Sequence, residues 1–171
     1  MKVRLAEEKD INRILEIYLS AVRFMRANGN FYQWAGSAAV NRAEVERNIR
    51  AGRKYVVEST DGKDIAGCFA LFEGPDPTYG IIDRGSWISD EPYIAIHRVA
   101  SSGIEPGVTE VITEYTRARY DHLRIDTSED NIPMRKALAR NNFDYRGIIY
   151  LKNGDPRFAF EWVRGQDEQA Q

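Results

Sequence analysis

The sequence predicts an α/β (α+β) fold, with helices on both faces of a mixed, mostly antiparallel central sheet. Residues 92–143 follow the order strand, helix, strand, helix, with lengths that favour a right-handed parallel crossover. Two turn signals, Asp61 with Gly62 and Asn153 with Gly154, each lie between segments of period-two hydrophobicity and indicate antiparallel hairpins. One parallel strand pair is therefore expected inside a mostly antiparallel sheet.

The first third of the chain predicts a strand and two helices. Residues 2–6 form the strand, and apolar residues at helical spacing follow Asp10, a candidate N-cap, until Gly29. The second helix starts at Asn41, with Glu44 placed for a capping box, and stops before Gly52.

The remaining elements complete the order βααβββαβαββ. They are predicted strands at 53–60 and 64–73, a strand at 93–101, a helix at 108–119, a strand at 122–126, a capped helix at 131–142, and closing strands at 143–152 and 156–163. This order predicts the mixed sheet directly.

Length and composition are those of one globular domain. The chain has 171 residues, 43% hydrophobic and 29% charged, so we expect a single domain at 1–163 and a polar tail at 164–171. The net charge of −2, with both signs interspersed, indicates neither a nucleic-acid partner nor a membrane surface. No apolar run is long enough for a signal peptide or a membrane span, so a cytoplasmic protein is expected.

The lone cysteine, Cys68, excludes an internal disulfide. It lies in an apolar, strand-like run, so a buried thiol is expected and no metal site is predicted. Composition leaves the oligomeric state open, including a homodimer.

Four segments in this order resemble the GCN5-related N-acetyltransferase (GNAT) family. They read KVRLAEEKDINRILEIYLSAV, HRVASSGIEPG, RIDTSEDNIPM and NNFDYRGIIYLKNGDPRFAF. The resemblance spans nearly the whole chain. It implies acyl transfer from acetyl-CoA, as co-substrate, to an amine of a small molecule or peptide, with the parallel strand pair at the cofactor cleft.

The resemblance also implies where coenzyme A binds. The edge formed by Val99, Ala100 and Ser101 would hold pantetheine through main-chain groups, and an ordinary paired strand is the alternative. Asn131 matches a family position that hydrogen-bonds pantetheine, and it is also a plausible N-cap.

The expected pyrophosphate loop departs from the family pattern. That pattern, Q/RxxGxG/A, falls on Pro106 and the five residues after it, and neither motif glycine is kept. The amides of a helix start still suit an anion. Glu105 and Glu110 add opposing charge. Arg135, Lys136 and Arg140 are candidate compensating cations, and solvated helix charges are the alternative. The expected cofactor-binding residues here are Gly107, Val108, Thr109, Glu110 and Val111.

His97 is the candidate general base, because a histidine near pKa 6.5 suits deprotonation of an amine. A structural role is the alternative. The tyrosine that commonly serves the family as acid is absent, with Leu138 in its place, so Tyr150 or solvent would have to protonate the thiolate. Asp126 is interpreted as fixing the turn after its strand, and His122 is expected at the surface.

Two further segments are interpreted as borders of the acceptor site. Tyr32, Gln33 and Trp34 lie between the first two helices and suit either an acceptor wall or a lid packed on the core. The irregular segment 73–92 either completes the pocket or forms a dimer contact. Two hypotheses therefore stand: an active N-acetyltransferase, or a catalytically degenerate GNAT-scaffold protein that binds a small ligand or a protein partner.

Overall fold

The computed structural model describes residues 1–35 and 40–166. Its seven strands are β1 (Lys2–Leu5), β2 (Lys54–Glu58), β3 (Ile65–Glu73), β4 (Ile94–Ser101), β5 (His122–Thr127), β6 (Asp144–Tyr150) and β7 (Pro156–Val163). Its four α-helices are α1 (Ile11–Ala27), α2 (Arg42–Arg50), α3 (Val108–Arg117) and α4 (Ile132–Arg140). The predicted order of elements is confirmed.

The strands form one sheet in the order β1-β2-β3-β4-β5-β7-β6. Both predicted hairpins are antiparallel, and Gly62 and Gly154 have the positive φ angles that their turns require. The predicted parallel pair is β4 with β5. The fold class expected from the sequence is therefore confirmed.

The chain divides into two compact units, the first made of Met1–Leu71 and Arg98–Ile112. In this unit α1 presents a buried stripe to the strands, because its apolar residues recur every three or four positions. The core cluster consists of Ala6, Ile11, Ile14, Ile17, Tyr18, Val45, Val56, Ile65, Cys68 and Ala100. Cys68 is buried, as predicted.

Asp10 precedes α1 but does not cap it with its side chain, contrary to the prediction. Its carboxylate instead accepts hydrogen bonds from Arg4 Nη1 at 2.6 Å and from the Glu7 amide at 2.8 Å. Burial raises the pKa of Asp10, but the Arg4 guanidinium outweighs that effect and the pKa is lowered. The Asp10 carboxylate thus binds groups six and three residues earlier in the chain and does not cap α1.

Asn41 caps α2 as predicted, because its side chain accepts a hydrogen bond from the Glu44 amide at 3.1 Å. Glu44 binds Arg98 with both carboxylate oxygens, at 3.0 and 2.6 Å. The Glu44 amide therefore takes part in the helix cap, and the Glu44 carboxylate forms an ion pair with Arg98.

The second unit comprises residues 72–97 and the chain from Thr113 onward. Here β7 pairs antiparallel with both β5 and β6. Its core cluster consists of Tyr79, Ala95, Ile149 and Ala159, with partly buried Phe72, Ile82, Trp87, Tyr93 and Leu151 packed on it. From the irregular segment predicted at 73–92, Tyr79 belongs to this core cluster and Ile82 and Trp87 pack on it.

His122 is buried, so its expected place at the surface is wrong. Its Nε2 lies 2.6 Å from Glu161 Oε1, and Arg124 Nε donates to the same oxygen at 3.1 Å. Glu161 also accepts from the Ile88 amide at 2.5 Å. Burial raises the pKa of Glu161, and these donors reverse the effect and lower it.

Two expectations about the ends of the chain are not decided. The division into two units leaves the single domain at 1–163 a prediction, and the tail at 164–171 falls mostly outside the described residues. Among the helices of residues 1–35 and 40–166, none has the length and apolar character needed to cross a bilayer.

Candidate functional site

Strand β4 changes conformation at Arg98. The parallel register with β5 runs over three pairs and ends at Ile96 with Ile125, and Arg98 then has a φ of 55°, in the left-handed region. A non-glycine residue there interrupts strand alternation and costs free energy, so other contacts must hold it. The Glu44 carboxylate supplies them. This break directly precedes Val99, the first residue of the edge that the sequence analysis assigned to pantetheine.

The main chain after this break is fastened to β3. The Ser102 amide donates to the Ala66 carbonyl at 2.8 Å, and the Ser102 hydroxyl donates to the same oxygen at 3.0 Å. Val99 is half-buried, whereas Ser101 is exposed. These bonds hold the segment after Arg98 in a defined extended path.

Helix α3 starts where the sequence predicted. Gly107 has a φ of 85°, and the first helical bond runs from the Val111 amide to the Gly107 carbonyl at 3.1 Å. The amides of residues 108–110 precede this first bond and point out of the helix start. With the helix dipole, this turn suits an anion.

Gly67 on β3 permits the close approach of α3, a role that the sequence analysis missed. A Cβ at Gly67 would lie 2.4 Å from Val108 Cγ1 and 2.8 Å from the Ala100 carbonyl oxygen. Val108 is buried. A glycine inside an apolar strand was the available signal, since such residues mark places where another backbone comes close.

Glu105 is directed to the turn between β2 and β3. Its carboxylate accepts from the Thr60 amide at 2.8 Å and from the Thr60 hydroxyl at 2.6 Å. These bonds lower the pKa of Glu105. One of the two negative charges expected to oppose a phosphate is therefore engaged with Thr60.

In the second unit His97 lies between two carboxylates. His97 Nε2 is 2.8 Å from Asp76 Oδ2, and Nδ1 is 3.8 Å from Asp126 Oδ1. The Phe72 and Tyr79 rings pack near the imidazole, with centroids at 5.4 and 5.8 Å. About a quarter of the His97 side chain, 26%, is exposed, so the ring is held yet accessible.

Asp76 is positioned by its own turn. Its Oδ1 accepts from the Thr78 amide at 2.8 Å and from the Thr78 hydroxyl at 2.7 Å. Burial raises the pKa of Asp76, but the hydrogen bonds from His97 and Thr78 outweigh it and lower the pKa to about 2. Asp76 is therefore a carboxylate at neutral pH.

Sequence reasoning did not propose Asp76. The available signal was local, because an Asp two residues before a Thr in a Pro-rich stretch is typical of a side-chain-stabilised turn. Its pairing with a histidine 21 residues later is a tertiary contact.

The second carboxylate, Asp126, accepts a hydrogen bond from the Tyr79 hydroxyl at 2.7 Å. Tyr79 is buried, and burial together with the Asp126 charge raises the pKa of its phenol well above 10.0. Tyr79 therefore stays protonated as a donor. The interpretation of Asp126 as a turn residue overlooked this contact.

The other predicted residues have defined positions. Asn131 caps α4 by accepting from the Met134 amide at 3.4 Å, which confirms the cap, and its contact with pantetheine stays a prediction. The Trp34 ring packs edge to face on Tyr18, with the ring centroids 5.3 Å apart. The Gln33 Oε1 atom accepts a hydrogen bond from Asn30 Nδ2 at 2.9 Å. Tyr32 is 73% exposed. Trp34 thus packs on the core and Tyr32 faces solvent.

Residues 36–39 of the same segment lie outside the described part of the chain. Tyr150, the candidate acid, is 43% exposed on β6.

No family model and no curated protein matches this sequence. Solved structures do. A GNAT-family acetyltransferase from Streptococcus agalactiae 2603 is similar, with a TM-score of 0.87, 24% identity and 96% of each chain covered. A GNAT-family acetyltransferase from Listeria monocytogenes 4b F2365 has a TM-score of 0.67 at 18% identity, covering 95% of this chain and 94% of that one.

A third similar structure is the ribosomal-protein-alanine N-acetyltransferase from Brucella melitensis, with a TM-score of 0.58 at 17% identity, covering 95% of this chain and 99% of that one. The likeness extends over nearly the full length of all three structures. This chain therefore has the fold of the GNAT acetyltransferases, as the resemblance of its sequence predicted.

Proposed function

We propose that this protein is an N-acetyltransferase that moves the acetyl group of acetyl-CoA to an amine of a small molecule or peptide. The observation that carries the proposal is the left-handed break at Arg98. It lies directly between His97, a candidate base, and the main-chain segment 99–101. Helix α3 begins seven residues after that segment, at Val108. The fold shared with GNAT acetyltransferases supports the same conclusion.

For the co-substrate, we assign the main chain at Val99 and Ser101 to the pantetheine amides. The first turn of α3 would hold the pyrophosphate through the amides of Val108, Thr109 and Glu110, with Gly107 shaping the approach. The Val111 amide, also expected from the sequence to bind the cofactor, instead donates to the Gly107 carbonyl. Peptide groups and a helix start supply the donors that amides and phosphates need, without the family's glycines. The engagement of Glu105 with Thr60 supports this assignment, because it ties that charge to another group.

The co-substrate supplies an activated acetyl thioester. The protein must orient the acceptor amine and remove its proton. His97 is the proposed base, and Asp76 keeps its ring in place. Tyr32 is proposed as an acceptor contact, because it is exposed beside the core-packed Trp34. Gln33 and Trp34 would shape that wall.

Release of coenzyme A thiol from acetyl-CoA, with mass detection of the acetylated product across a panel of primary amines, tests this function. We expect turnover with at least one amine and about a 10²–10⁴-fold loss of kcat in His97→Ala, with acetyl-CoA affinity kept. Tyr32→Ala should raise the acceptor KM and leave kcat unchanged. Turnover unaffected by His97→Ala would remove the proposed base.

A protein that binds acetyl-CoA but acetylates none of the amines would support the degenerate scaffold instead. The absent family tyrosine, replaced by buried Leu138, favours that second candidate. Thiolate protonation by solvent is the proposed alternative to an acid residue.

A further inference from the structure

Building on the proposed function, we propose that Asp76 is a positioning residue that fixes the tautomer of His97, so that Nδ1 is the atom that accepts the acceptor's proton. The sequence resemblance supplied a base but no orienting group. The geometry around the imidazole supplies one, in a segment that sequence reasoning treated as an irregular excursion.

The hydrogen-bond chemistry decides which nitrogen carries the proton in the neutral ring. An ionised carboxylate can only accept, and Asp76 Oδ2 lies 2.8 Å from Nε2, so Nε2 must donate. The other oxygen of Asp76 already accepts two hydrogen bonds from Thr78. A neutral His97 therefore carries its hydrogen on Nε2 and its lone pair on Nδ1.

The segment that carries Asp76 is built to hold this carboxylate still. The Asp76 amide donates to the Tyr93 hydroxyl at 2.7 Å, and the Gly74 amide donates to the Tyr93 carbonyl at 3.0 Å. The Tyr79 amide donates to the Asp76 carbonyl at 3.0 Å. Bonds on both sides of Asp76 thus fix the direction of its side chain.

Nδ1 faces the second carboxylate. Asp126 Oδ1 is 3.8 Å from Nδ1, longer than a hydrogen bond, and the Tyr79 hydroxyl holds that oxygen at 2.7 Å. An imidazolium formed at Nδ1 would be stabilised by this charge as well as by Asp76. Titratable groups that pack around His97 include these two carboxylates and Tyr79, a neutral phenol.

The amine nitrogen forms a bond to the thioester carbonyl carbon, the carbon–sulfur bond breaks, and the coenzyme A thiolate leaves. The proton lost by the amine passes to Nδ1, and the imidazolium returns it to solvent, from which the thiolate is protonated.

Asp76→Asn is a specific test, because hydrogen bonding to Thr78 determines the orientation of the new side-chain amide. The Thr78 backbone N–H can only donate, so the Asn carbonyl oxygen takes the Oδ1 position and the NH₂ group faces Nε2. His97 must then accept at Nε2 and carry its hydrogen on Nδ1. The tautomer should reverse in the variant, with the fold intact.

Long-range ¹H–¹⁵N spectra of the cofactor-free protein read the tautomer. The chain has two histidines, so the set of signals that is lost in His97→Ala belongs to His97 and the remaining set belongs to His122. We expect the Nε2–H form of His97 in the wild type, the Nδ1–H form in Asp76→Asn, and the wild-type form in Thr78→Val, which keeps the backbone donor. An Nδ1–H wild type, or an unchanged tautomer in Asp76→Asn, would overturn the proposal.

Kinetics supply the second readout. Asp76→Asn should lower kcat about 10²–10⁴-fold with little change in the acetyl-CoA KM, and Thr78→Val should change kcat less than about 10-fold. Equal losses in both variants would indicate a structural role and contradict the assignment. The spectra need no acetyl-CoA, so failure of the tautomer proposal is distinct from failure of the proposed function.

Discussion

Replacement of Gly67 by alanine tests whether β3 must lack a side chain beneath the start of α3. The added methyl would lie 2.4 Å from Val108 Cγ1 and 2.8 Å from the Ala100 carbonyl oxygen, both far inside van der Waals contact. The Ala100 oxygen can move only with its strand, and relief of the clash with Val108 moves the start of α3. We therefore expect a shift of the main chain at both places. Overpacking of this kind costs about 1–3 kcal/mol of unfolding free energy.

The clash has two parts that can be separated. In the double variant Gly67→Ala, Val108→Ala, the clash with Val108 Cγ1 is removed and the clash with the Ala100 oxygen stays. We therefore expect the double variant to regain part of the unfolding free energy that Gly67→Ala loses. Val108→Ala alone leaves a space in a buried site and should cost about 1 kcal/mol. The two changes should therefore be non-additive by about 0.5–2 kcal/mol.

Urea unfolding measures these differences, and Gly80→Ala is the matched control. Gly80 is exposed, and a Cβ there would meet nothing within 4 Å. The unfolding free energy of Gly80→Ala should differ from that of the wild type by less than about 0.5 kcal/mol. Acetyl-CoA affinity should fall in Gly67→Ala and stay unchanged in Gly80→Ala. A fully stable Gly67→Ala, with wild-type affinity, would refute the role given to this glycine.

Further predictions concern Asp76, Arg98 and the acceptor. The pKa of Asp76 falls from 3.8 to about 2 on folding, so its charge stabilises the fold above about pH 4 and this contribution is lost as the pH falls toward 2. The shift corresponds to at most about 2 kcal/mol of unfolding free energy, and to about 1 kcal/mol after solvent screening. Urea unfolding should show Asp76→Asn less stable than the wild type by that amount at pH 7 and by less near pH 2.5. A difference in unfolding free energy that stays the same at both pH values would contradict this prediction. Arg98→Val should be about 1 kcal/mol less stable than Arg98→Asn in the same assay, since both lose the Glu44 ion pair but only Asn tolerates a φ of 55°; equal stabilities would argue against strain there. Because two carboxylates flank His97, the KM of a cationic amine acceptor should rise with ionic strength, and a salt-independent KM in steady-state assays would exclude that attraction.

Much of the fold could be predicted because its signals are local. Asn41 and Asn131 cap helices through bonds to amides three residues ahead, and the glycines at Gly62 and Gly154 satisfy turns that need positive φ. The order of periodic segments then predicted the sheet. None of these inferences required knowledge of a distant contact.

Partners distant in the sequence could not be predicted from these patterns. The prediction of Asp10 as a cap failed at short range instead, because Arg4 and the Glu7 amide, six and three residues earlier, bind its carboxylate. His122 was expected at the surface because its partner, Glu161, lies 39 residues later. Asp76 was missed for the same reason.

No single residue type in the sequence signals the break at Arg98. An arginine with a φ of 55° has no propensity signature, and the ion pair with Glu44 that holds it spans 54 residues. The candidate site is therefore less predictable than the fold around it, because the site depends on such distant pairs.

The most direct test of the central claim is calorimetric titration of the protein with acetyl-CoA, with S-acetylpantetheine, which lacks the pyrophosphate, as the control. We expect about micromolar binding of acetyl-CoA and much weaker binding of the control, because the start of α3 is the proposed pyrophosphate site. Absence of binding at millimolar acetyl-CoA would contradict it and would indicate that this scaffold serves a different ligand.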